Sequence, residues 1–267
     1  MMNAYYRALR RLFVNGRSLM LAYDQGLEHG PSVFNAANID PNYILNIAFE
    51  GRYNAVILHH GIAEKYFRAS KCYGGVPLVI KLNGKTNIAK TEPYAAQVCS
   101  VERALRLGAA AVGYTIYVGS RLEAEMLREF SQIVEKAHRS DVPVIAWVYP
   151  RGHDVRNELE SHLLAHAARL GLELGADIIK IRYPNDVEDF KWVVKSAGLV
   201  KVLVAGGDKQ DDAAFLSKVH GFMSAGASGM AVGRNVWQHN QPLKMTKAIK
   251  RIIFENAGVK DALGEMG

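Results

Sequence analysis

Lys180 is the residue with the clearest chemical potential in this sequence. It lies in the run Gly-Ala-Asp-Ile-Ile-Lys-Ile-Arg-Tyr-Pro at 175–184, an apolar strand that ends beside a turn signal. A lysine among isoleucines loses hydration, so its pKa falls and its neutral amine can attack a carbonyl substrate to form a Schiff base. The alternative is a lysine whose stem lies along the strand and whose ammonium group reaches solvent. The segment alone leaves both interpretations open.

Two aromatic residues on the preceding predicted strand, Trp147 and Tyr149, share one face, because side chains two apart in a strand point the same way. If Lys180 points inward, the phenol of Tyr149 reaches the same cavity and can move a proton to or from a substrate. Trp147 would then orient the phenol or the imine. Packing is the alternative for Trp147, and a hydrogen bond to a loop is the alternative for Tyr149.

A polar segment at 24–31 reads Asp-Gln-Gly-Leu-Glu-His-Gly-Pro and follows the first predicted strand. We expect Asp24 to hold the ammonium group of Lys180 or to bind a substrate hydroxyl. Gln25 and His29 are candidates for substrate contact. The spacing of the carboxylates and the histidine matches no strong metal motif, so we expect no metal here.

Two further pairs of potential metal ligands are interpreted as structural. His59 and His60 are adjacent on a predicted strand and therefore point to opposite faces, so they cannot easily ligate one ion. Cys72 and Cys99 are separated by far more than a CxxC spacing. This favours buried thiols in a reducing compartment over a thiolate metal site.

Two glycine turns are predicted to bind a phosphate group. Gly206-Gly207 follows the seventh predicted strand, and Gly233-Arg234 follows the eighth, where it begins a short helix. Backbone N–H groups without side chains in the way, together with the two-pronged guanidinium of Arg234, suit a phosphate. The alternative is a pair of tight turns that need glycine for a positive φ. Basic residues that are candidates for a second phosphate, by position alone, are Lys81, Arg151 and Arg182.

A reactive lysine and a phosphate site in one cavity imply a phosphorylated ketose as substrate. The amine of Lys180 attacks the ketone, and the resulting iminium is an electron sink for the carbanion left when the neighbouring C–C bond breaks. The sequence therefore favours aldol cleavage, in which Tyr149 takes the hydroxyl proton and returns one to the enamine.

The elements that must position these residues alternate short β-branched runs with helical stretches. Strands are predicted at 18–23, 55–58, 78–81, 110–115, 142–148, 176–181, 200–205 and 229–232. Helices are predicted at 95–107, 121–138, 158–174, 188–196 and 212–225. Eight strands separated by helices indicate a single (β/α)8 TIM barrel over 1–267, whose catalytic groups lie at the carboxyl ends of the strands. A doubly wound sheet is the alternative, but no Gly-x-Gly-x-x-Gly follows the first strand.

Composition excludes several classes of function. The chain has 267 residues and a formal charge of +7, but its basic residues are scattered, which argues against a nucleic-acid-binding protein. Segment 1–13 lacks the apolar core of a signal peptide and is predicted to be an amphipathic helix packed on the barrel. A mitochondrial transit segment is the minor alternative for it. We expect no membrane span, because no run of about 18 apolar residues occurs.

Several motifs together resemble one family, the archaeal-type class I fructose-1,6-bisphosphate aldolases of the DeoC/FbaB superfamily. The similarity runs nearly end to end, and its motifs lie at 21–31, 61–66, 81–86, 112–120, 147–152, 175–184 and 232–238. It implies that Lys180 is the Schiff-base lysine, that Tyr149 is the acid/base, and that Trp147 and Asp24 shape the site. It also implies a cytoplasmic homo-oligomer, often a decamer, that cleaves fructose 1,6-bisphosphate without a cofactor or metal. The phosphate ligands it implies are Gly206, Gly207, Gly233 and Arg234.

The sequence departs from that family in two places and leaves rival functions open. The family often has Asp-His-Gly where this chain has Asp24-Gln25-Gly26, and segment 70–75 is interpreted as a small insertion. The nearest rival is a related Schiff-base aldolase of the 2-amino-3,7-dideoxy-D-threo-hept-6-ulosonate synthase type, or a relative that processes a phosphorylated signalling molecule. A metal-dependent aldolase and a non-enzymatic phosphosugar-binding or nucleic-acid-associated barrel are more distant rivals.

Overall fold

The computed structural model describes residues 4–267, which form a closed barrel of eight parallel strands surrounded by helices. Each strand pairs with the next one along the chain, and the last pairs with the first. The prediction of a TIM barrel is confirmed. The strands are β1 Ser18–Ala22, β2 Ala55–His59, β3 Leu78–Lys81, β4 Ala109–Val118, β5 Val144–Pro150, β6 Ile178–Ile181, β7 Lys201–Ala205 and β8 Gly229–Val232.

The helices follow the strands and cover the outside of the barrel. Their bounds are α1 Ala4–Arg11, α2 Gly26–His29, α3 Pro41–Glu50, α4 His60–Ile62, α5 Val101–Arg106, α6 Glu123–Arg139, α7 Ser161–Glu173, α8 Val187–Ser196, α9 Asp212–Ser224, α10 Arg234–Trp237, α11 Pro242–Glu255 and α12 Val259–Leu263. A π-helical turn, Ala63–Phe67, continues α4, and 3-10 turns lie at Gly30–Val33 and Gly264–Met266.

Alternation along each strand divides the apolar core into two layers. On β6, Ile178 packs with the residues inside the barrel, while Ile179 and Ile181 pack against the surrounding helices. Side chains two apart share a face, so Lys180 points into the barrel with Ile178 beneath it. The residues around Lys180 are apolar because both faces of this strand are buried.

Helix α1 lies against the amino-terminal end of the barrel. Leu12, just after it, is fully buried within the interior layer, and Leu9 and Phe13 pack against that layer. The predicted helix at 1–13 is thus confirmed over Ala4–Arg11, and residues 1–3 lie outside the described residues. Apolar side chains fill this end, and the carboxyl ends of the strands form the other end of the barrel.

The predicted helix at 95–107 is wrong in its first half. Only Val101–Arg106 is helical, and it begins after Ser100, whose side chain accepts a hydrogen bond from the backbone of Arg103. Residues Ala96–Gln97 instead form a two-stranded antiparallel ribbon with Asn83–Gly84. The backbone N–H groups of residues 98 and 99 donate to the carbonyl of Leu82, so tertiary hydrogen bonds override the local preference for helix.

Two strands end later than predicted, and the difference matters for the site. Strand β4 continues to Val118 rather than residue 115, and β5 continues to Pro150 rather than residue 148. Tyr149 therefore lies within β5, directly opposite Tyr117 of β4. Periodicity alone does not locate these ends, because the strands run past the apolar part of the barrel into its polar mouth.

Within residues 4–267, no helix has both the length and the apolar character needed to cross a membrane.

Segment 70–75, which the sequence analysis interprets as an insertion, is a turn that precedes β3. Cys72 within this turn is buried, and its thiol lies 3.1 Å from the carbonyl oxygen of Leu45.

Candidate active site

The carboxyl ends of the strands surround a cavity of about 310 Å³. All of the residues predicted to act in catalysis or substrate binding line it, although they come from six strands or the segments after them. They are Asp24, Gln25, His29, Lys81, Trp147, Tyr149, Lys180, Gly206, Gly207, Gly233 and Arg234. The barrel thus brings together side chains that are more than 200 residues apart in the chain.

Lys180 is buried, with only 7% of its surface exposed. Its Nζ lies 5.1 Å from the centre of the Trp147 ring. Burial lowers its pKa to about 8, opposed by the charge of Asp24 and reinforced by that of Lys81. At pH 7 a group of this pKa is neutral in about one molecule in ten, far more often than a solvated lysine. The amine is therefore available as a nucleophile near neutral pH.

Lys81 is a second buried lysine at the base of the cavity. Its Nζ lies 3.3 Å from a carboxylate oxygen of Asp24 and 5.3 Å from the centre of the Trp147 ring. Burial would raise the pKa of Asp24, but the charges of Lys180 and Lys81 outweigh it and lower that pKa to about 2. Asp24 is therefore a permanent anion that two ammonium groups can share.

The indole of Trp147 forms part of the cavity wall between these lysines, and a glycine makes room for it. A Cβ at Gly113 on β4 would lie 1.7 Å from the Trp147 ring, so only glycine fits at that position. The indole N–H of Trp147 is buried and has no hydrogen-bond partner within the described residues. Trp147 thus offers its ring face to the lysines and one unsatisfied donor.

Tyr149 lies two residues beyond Trp147 on the same face of β5, at the level where the cavity widens. Trp147 pairs in register with Lys180, so Tyr149 lies above the amine on the neighbouring strand. Burial, followed by the charge of Asp24, raises the pKa of Tyr149 well above its usual value. The phenol is therefore protonated at neutral pH and can act first as a proton donor.

A network of charged residues forms the rim above Tyr149. The guanidinium of Arg151 donates to both oxygens of Glu158, at 2.7 and 3.0 Å, and lies 3.5 Å from Glu28. Arg182 also reaches Glu158, at 2.7 Å. Glu158 therefore holds in place the two arginines whose position suggested a second phosphate site.

Sequence reasoning missed Tyr117 and Glu158. Tyr117 lines the cavity, and the guanidinium of Arg151 lies 5.4 Å from the centre of its ring. Residues 113 and 115 point into the barrel, and alternation along the strand gives Tyr117 the same direction. A predicted strand that ended at 117 instead of 115 would therefore have identified Tyr117. The predicted helix at 158–174 begins at Glu158, but in the structure Glu158 lies in the irregular segment before α7, which begins at Ser161.

The two glycine turns lie side by side at one end of the cavity. Gly207 has φ of +71°, in the left-handed region, and nothing lies within 4 Å of a Cβ built there. The N–H of Gly206 is not exposed as expected, because it donates to the carbonyl of Ala231 in the barrel. Arg234 begins α10 and forms an ion pair with Asp208 of the neighbouring turn. The donors available for an anion at this end include the N–H of Gly207 and the guanidinium of Arg234.

The cavity also carries neutral polar groups. The Nε2 of Gln25 is buried without a partner within the described residues, and His29 accepts a hydrogen bond from the amide of Asn87 at 2.9 Å. His59 also lines the cavity, which the structural interpretation of the two histidines did not anticipate, whereas His60 does not. Burial, reinforced by Lys81, lowers the pKa of His59 to about 4, so this imidazole is neutral at pH 7.

No group of three or more His, Cys, Asp or Glu side chains placed to hold a metal ion occurs within residues 4–267. The donors in the cavity are mainly lysine, arginine, amide and phenol groups. Such a set suits an anionic, hydroxyl-rich molecule with a carbonyl group.

Comparison with known proteins gives one consistent result. The sequence profile of the DeoC/LacD family aldolases matches residues 18–239. A protein named fructose-bisphosphate aldolase class 1 from Thermoproteus tenax is 46% identical over 257 residues, which are 95% of this chain and 96% of the relative. A protein of the same name from Halobacterium salinarum is 42% identical, over 94% of this chain and 96% of the relative.

A solved structure agrees with these relatives. It is an archaeal fructose-1,6-bisphosphate aldolase whose catalytic lysine is covalently bound to the carbinolamine intermediate of the substrate. The two chains are 45% identical, and the match covers 94% of this chain and 99% of the solved chain. The structures superpose with a TM-score of 0.89.

Proposed function

The chain belongs to the DeoC/LacD family of aldolases, and from this premise we propose that it is a class I fructose-bisphosphate aldolase whose Schiff base forms on Lys180. It cleaves fructose 1,6-bisphosphate reversibly to dihydroxyacetone phosphate and glyceraldehyde 3-phosphate. The single observation that carries the assignment of the lysine is the buried amine of Lys180, with its pKa near 8, against the face of Trp147. No feature of the cavity favours the related ulosonate synthase reaction.

Imine formation begins with attack of the neutral Lys180 amine on the ketone carbon, which gives a carbinolamine. Loss of its hydroxyl as water requires a proton, and the phenol of Tyr149 is protonated and lies on the neighbouring strand, above the amine. Tyr149 donates this proton, water leaves, and the product is an iminium beside a phenolate. The positive iminium and the negative phenolate attract each other, so each stabilises the charge that the other carries.

Cleavage then uses the phenolate as the base. The C–C bond that breaks joins the iminium half of the substrate to a carbon that carries a hydroxyl group, and Tyr149 takes the proton of this hydroxyl. The carbon then becomes an aldehyde, and the electron pair of the broken bond moves into the iminium to give an enamine. The aldehyde leaves, and Tyr149 gives the proton it took to the enamine carbon, which restores the iminium. Water then attacks the iminium and gives one proton to the Tyr149 phenolate, and the carbinolamine collapses to the ketone and the free Lys180 amine. One phenol thus carries each of these proton transfers in turn and ends protonated, as it began.

The surrounding groups orient the substrate. Arg234 and the N–H of Gly207 bind the phosphate of the dihydroxyacetone half at the end of the cavity nearest β7 and β8. Arg151 and Arg182 face the other phosphate from the rim, where their ion pairs with Glu158 hold them. Asp24 binds a substrate hydroxyl, and its shared charge holds Lys81 in place below Trp147.

The test of the proposal is intact-protein mass spectrometry after borohydride reduction in the presence of dihydroxyacetone phosphate and EDTA. We expect a stable mass increase in the wild type and in Lys250→Met, a lysine of α11 that bonds backbone carbonyls of residues 51 and 52. We expect none in Lys180→Met, in which methionine keeps most of the side-chain volume. An adduct on Lys180→Met would move the imine to another lysine, and the absence of any adduct would remove the class I mechanism.

Three further properties follow as proposals. A cytoplasmic location is supported by two buried free thiols, Cys72 and Cys99, which suit a reducing compartment. A homo-oligomer is supported by exposed apolar side chains near α8, where Trp192 is 58% and Leu199 is 95% exposed. Cell fractionation tests the location, and light scattering tests the oligomeric state. The reaction places the enzyme in glycolysis or gluconeogenesis, which a growth defect of a deletion strain on hexose or on three-carbon sources would test.

A further inference from the structure

The turn that carries Gly207 is held from behind by a single buried side chain, Asn235. Asn235 is 3% exposed and lies in α10, directly after Arg234. Residues 206–210 contain no helix or strand, so they have no ladder of hydrogen bonds of their own. Their conformation therefore depends on contacts from other parts of the chain.

The carboxamide of Asn235 supplies three such contacts. Its Nδ2 donates to the carbonyl of Gly206 and to the carbonyl of Asp208, both at 2.9 Å. Its Oδ1 accepts from the backbone N–H of Gln210, also at 2.9 Å. Both donor hydrogens and one acceptor position of the side chain are thus used on one five-residue turn.

These bonds fix the direction of the N–H of Gly207. A trans peptide is planar, so the N–H of Gly207 points opposite to the carbonyl of Gly206, which faces Asn235. Gly206, Gly207 and Asp208 line the cavity, whereas Asn235 is not among the lining residues. The N–H of Gly207 therefore faces away from Asn235, and no acceptor for it occurs within residues 4–267.

We propose that Asn235 is a positioning residue for phosphate recognition: it holds the 206–210 turn so that the N–H of Gly207 and the guanidinium of Arg234 converge on one substrate phosphate. The inference rests on the proposed aldolase function and deepens it, because it separates recognition of the phosphate from the chemistry of the imine. Asn235 touches neither the substrate nor Lys180 in this assignment.

The test compares two carbonyl compounds that differ only in the phosphate. Dihydroxyacetone phosphate and dihydroxyacetone both form an imine on Lys180, but only the first uses the turn. In Asn235→Asp the carboxylate still accepts from Gln210, but it cannot donate to two carbonyls and repels them. We expect the ratio of the reductive trapping rates, phosphorylated over unphosphorylated, to fall about tenfold to a hundredfold, the usual range for hydrogen bonds to a charged group.

A matched control is Asn54→Asp, which introduces the same charge at the other end of the barrel, where Asn54 accepts from the N–H of Leu19 at 2.8 Å. This variant should keep the wild-type ratio. A residue with a merely structural role would slow both compounds equally, so an unchanged ratio in Asn235→Asp overturns the inference. If that variant does not fold, as judged by circular dichroism, Asn235→Ala takes its place in the same assay.

A second readout separates this inference from the proposed function. Inorganic phosphate should raise the Tm of the wild type and of Asn54→Asp, and this rise should be lost in the Asn235 variants. If the wild type forms no adduct with either carbonyl compound, the proposed function fails, while the phosphate-dependent shift in Tm still decides the inference. An equal shift in the wild type and the Asn235 variants overturns it.

Discussion

Replacement of Lys81 by methionine should make Lys180 a weaker nucleophile at neutral pH, although Lys81 is not expected to react with substrate. The two amines lie 5.1 and 5.3 Å from the centre of the same Trp147 ring, so they are at most about 10 Å apart. At that distance and an effective dielectric constant of about 20, two unit charges repel by roughly 1.5 kcal/mol, which corresponds to about one unit of pKa.

The attraction of Asp24 for Lys180 persists when Lys81 is lost. The pKa of Asp24 is about 2, so the carboxylate stays ionised at neutral pH even if that pKa rises by a unit or two, and it still favours the Lys180 ammonium group. The pKa of Lys180 should therefore rise from about 8 to about 9 or above. Because the neutral amine is the reactive form, the rising acidic limb of the activity profile should move to higher pH.

The assay is the pH dependence of kcat/KM between about pH 6 and 10 for the wild type, Lys81→Met and Lys250→Met. At pH 7 the neutral fraction of Lys180 should fall about tenfold in Lys81→Met, and activity should recover as the pH approaches 10. Lys250→Met, remote from the cavity, should retain the wild-type midpoint. A midpoint in Lys81→Met at or below that of the wild type would refute the electrostatic argument.

Three further changes have expected outcomes. Tyr149→Phe should lower kcat by roughly 10²–10⁴, and turnover near the wild-type rate would assign the proton transfers to another group. Gly113→Ala should destabilise the protein by about 1–3 kcal/mol in chemical denaturation, because the new methyl displaces the Trp147 ring, and an unchanged midpoint would contradict this. Asp208→Asn should lower KM for the bisphosphate by roughly two- to fivefold, since Arg234 loses an exposed competing carboxylate; a higher KM would show that the ion pair helps binding.

The sequence sufficed to identify the barrel because each strand is buried on both faces and each helix has one apolar side. Lys180 was identifiable because a charged residue interrupts an apolar strand, and Tyr149 followed from the two-residue period of its own strand. The failure at 95–107 has the opposite cause. Helical periodicity continues through that segment, but its backbone bonds to the carbonyl of Leu82, a partner that local sequence cannot indicate.

The surroundings of Lys81 and the hydrogen bonds of Asn235 could not be predicted from the sequence. Lys81 meets Asp24 and faces Trp147 because the strands that carry them converge when the barrel closes. Asn235 reaches the 206–210 turn because β8 packs beside β7, and nothing in the local sequence marks its carboxamide as different from other asparagines.

The fold and the class of chemistry, and the prediction of Lys180 as nucleophile, came from sequence patterns that lie within single strands and helices. Which charges share Asp24, how Glu158 holds the rim arginines and how Asn235 bonds the 206–210 turn are visible only in the folded chain. Those features depend on distances between segments far apart in the chain, and electrostatic energies change steeply over those distances.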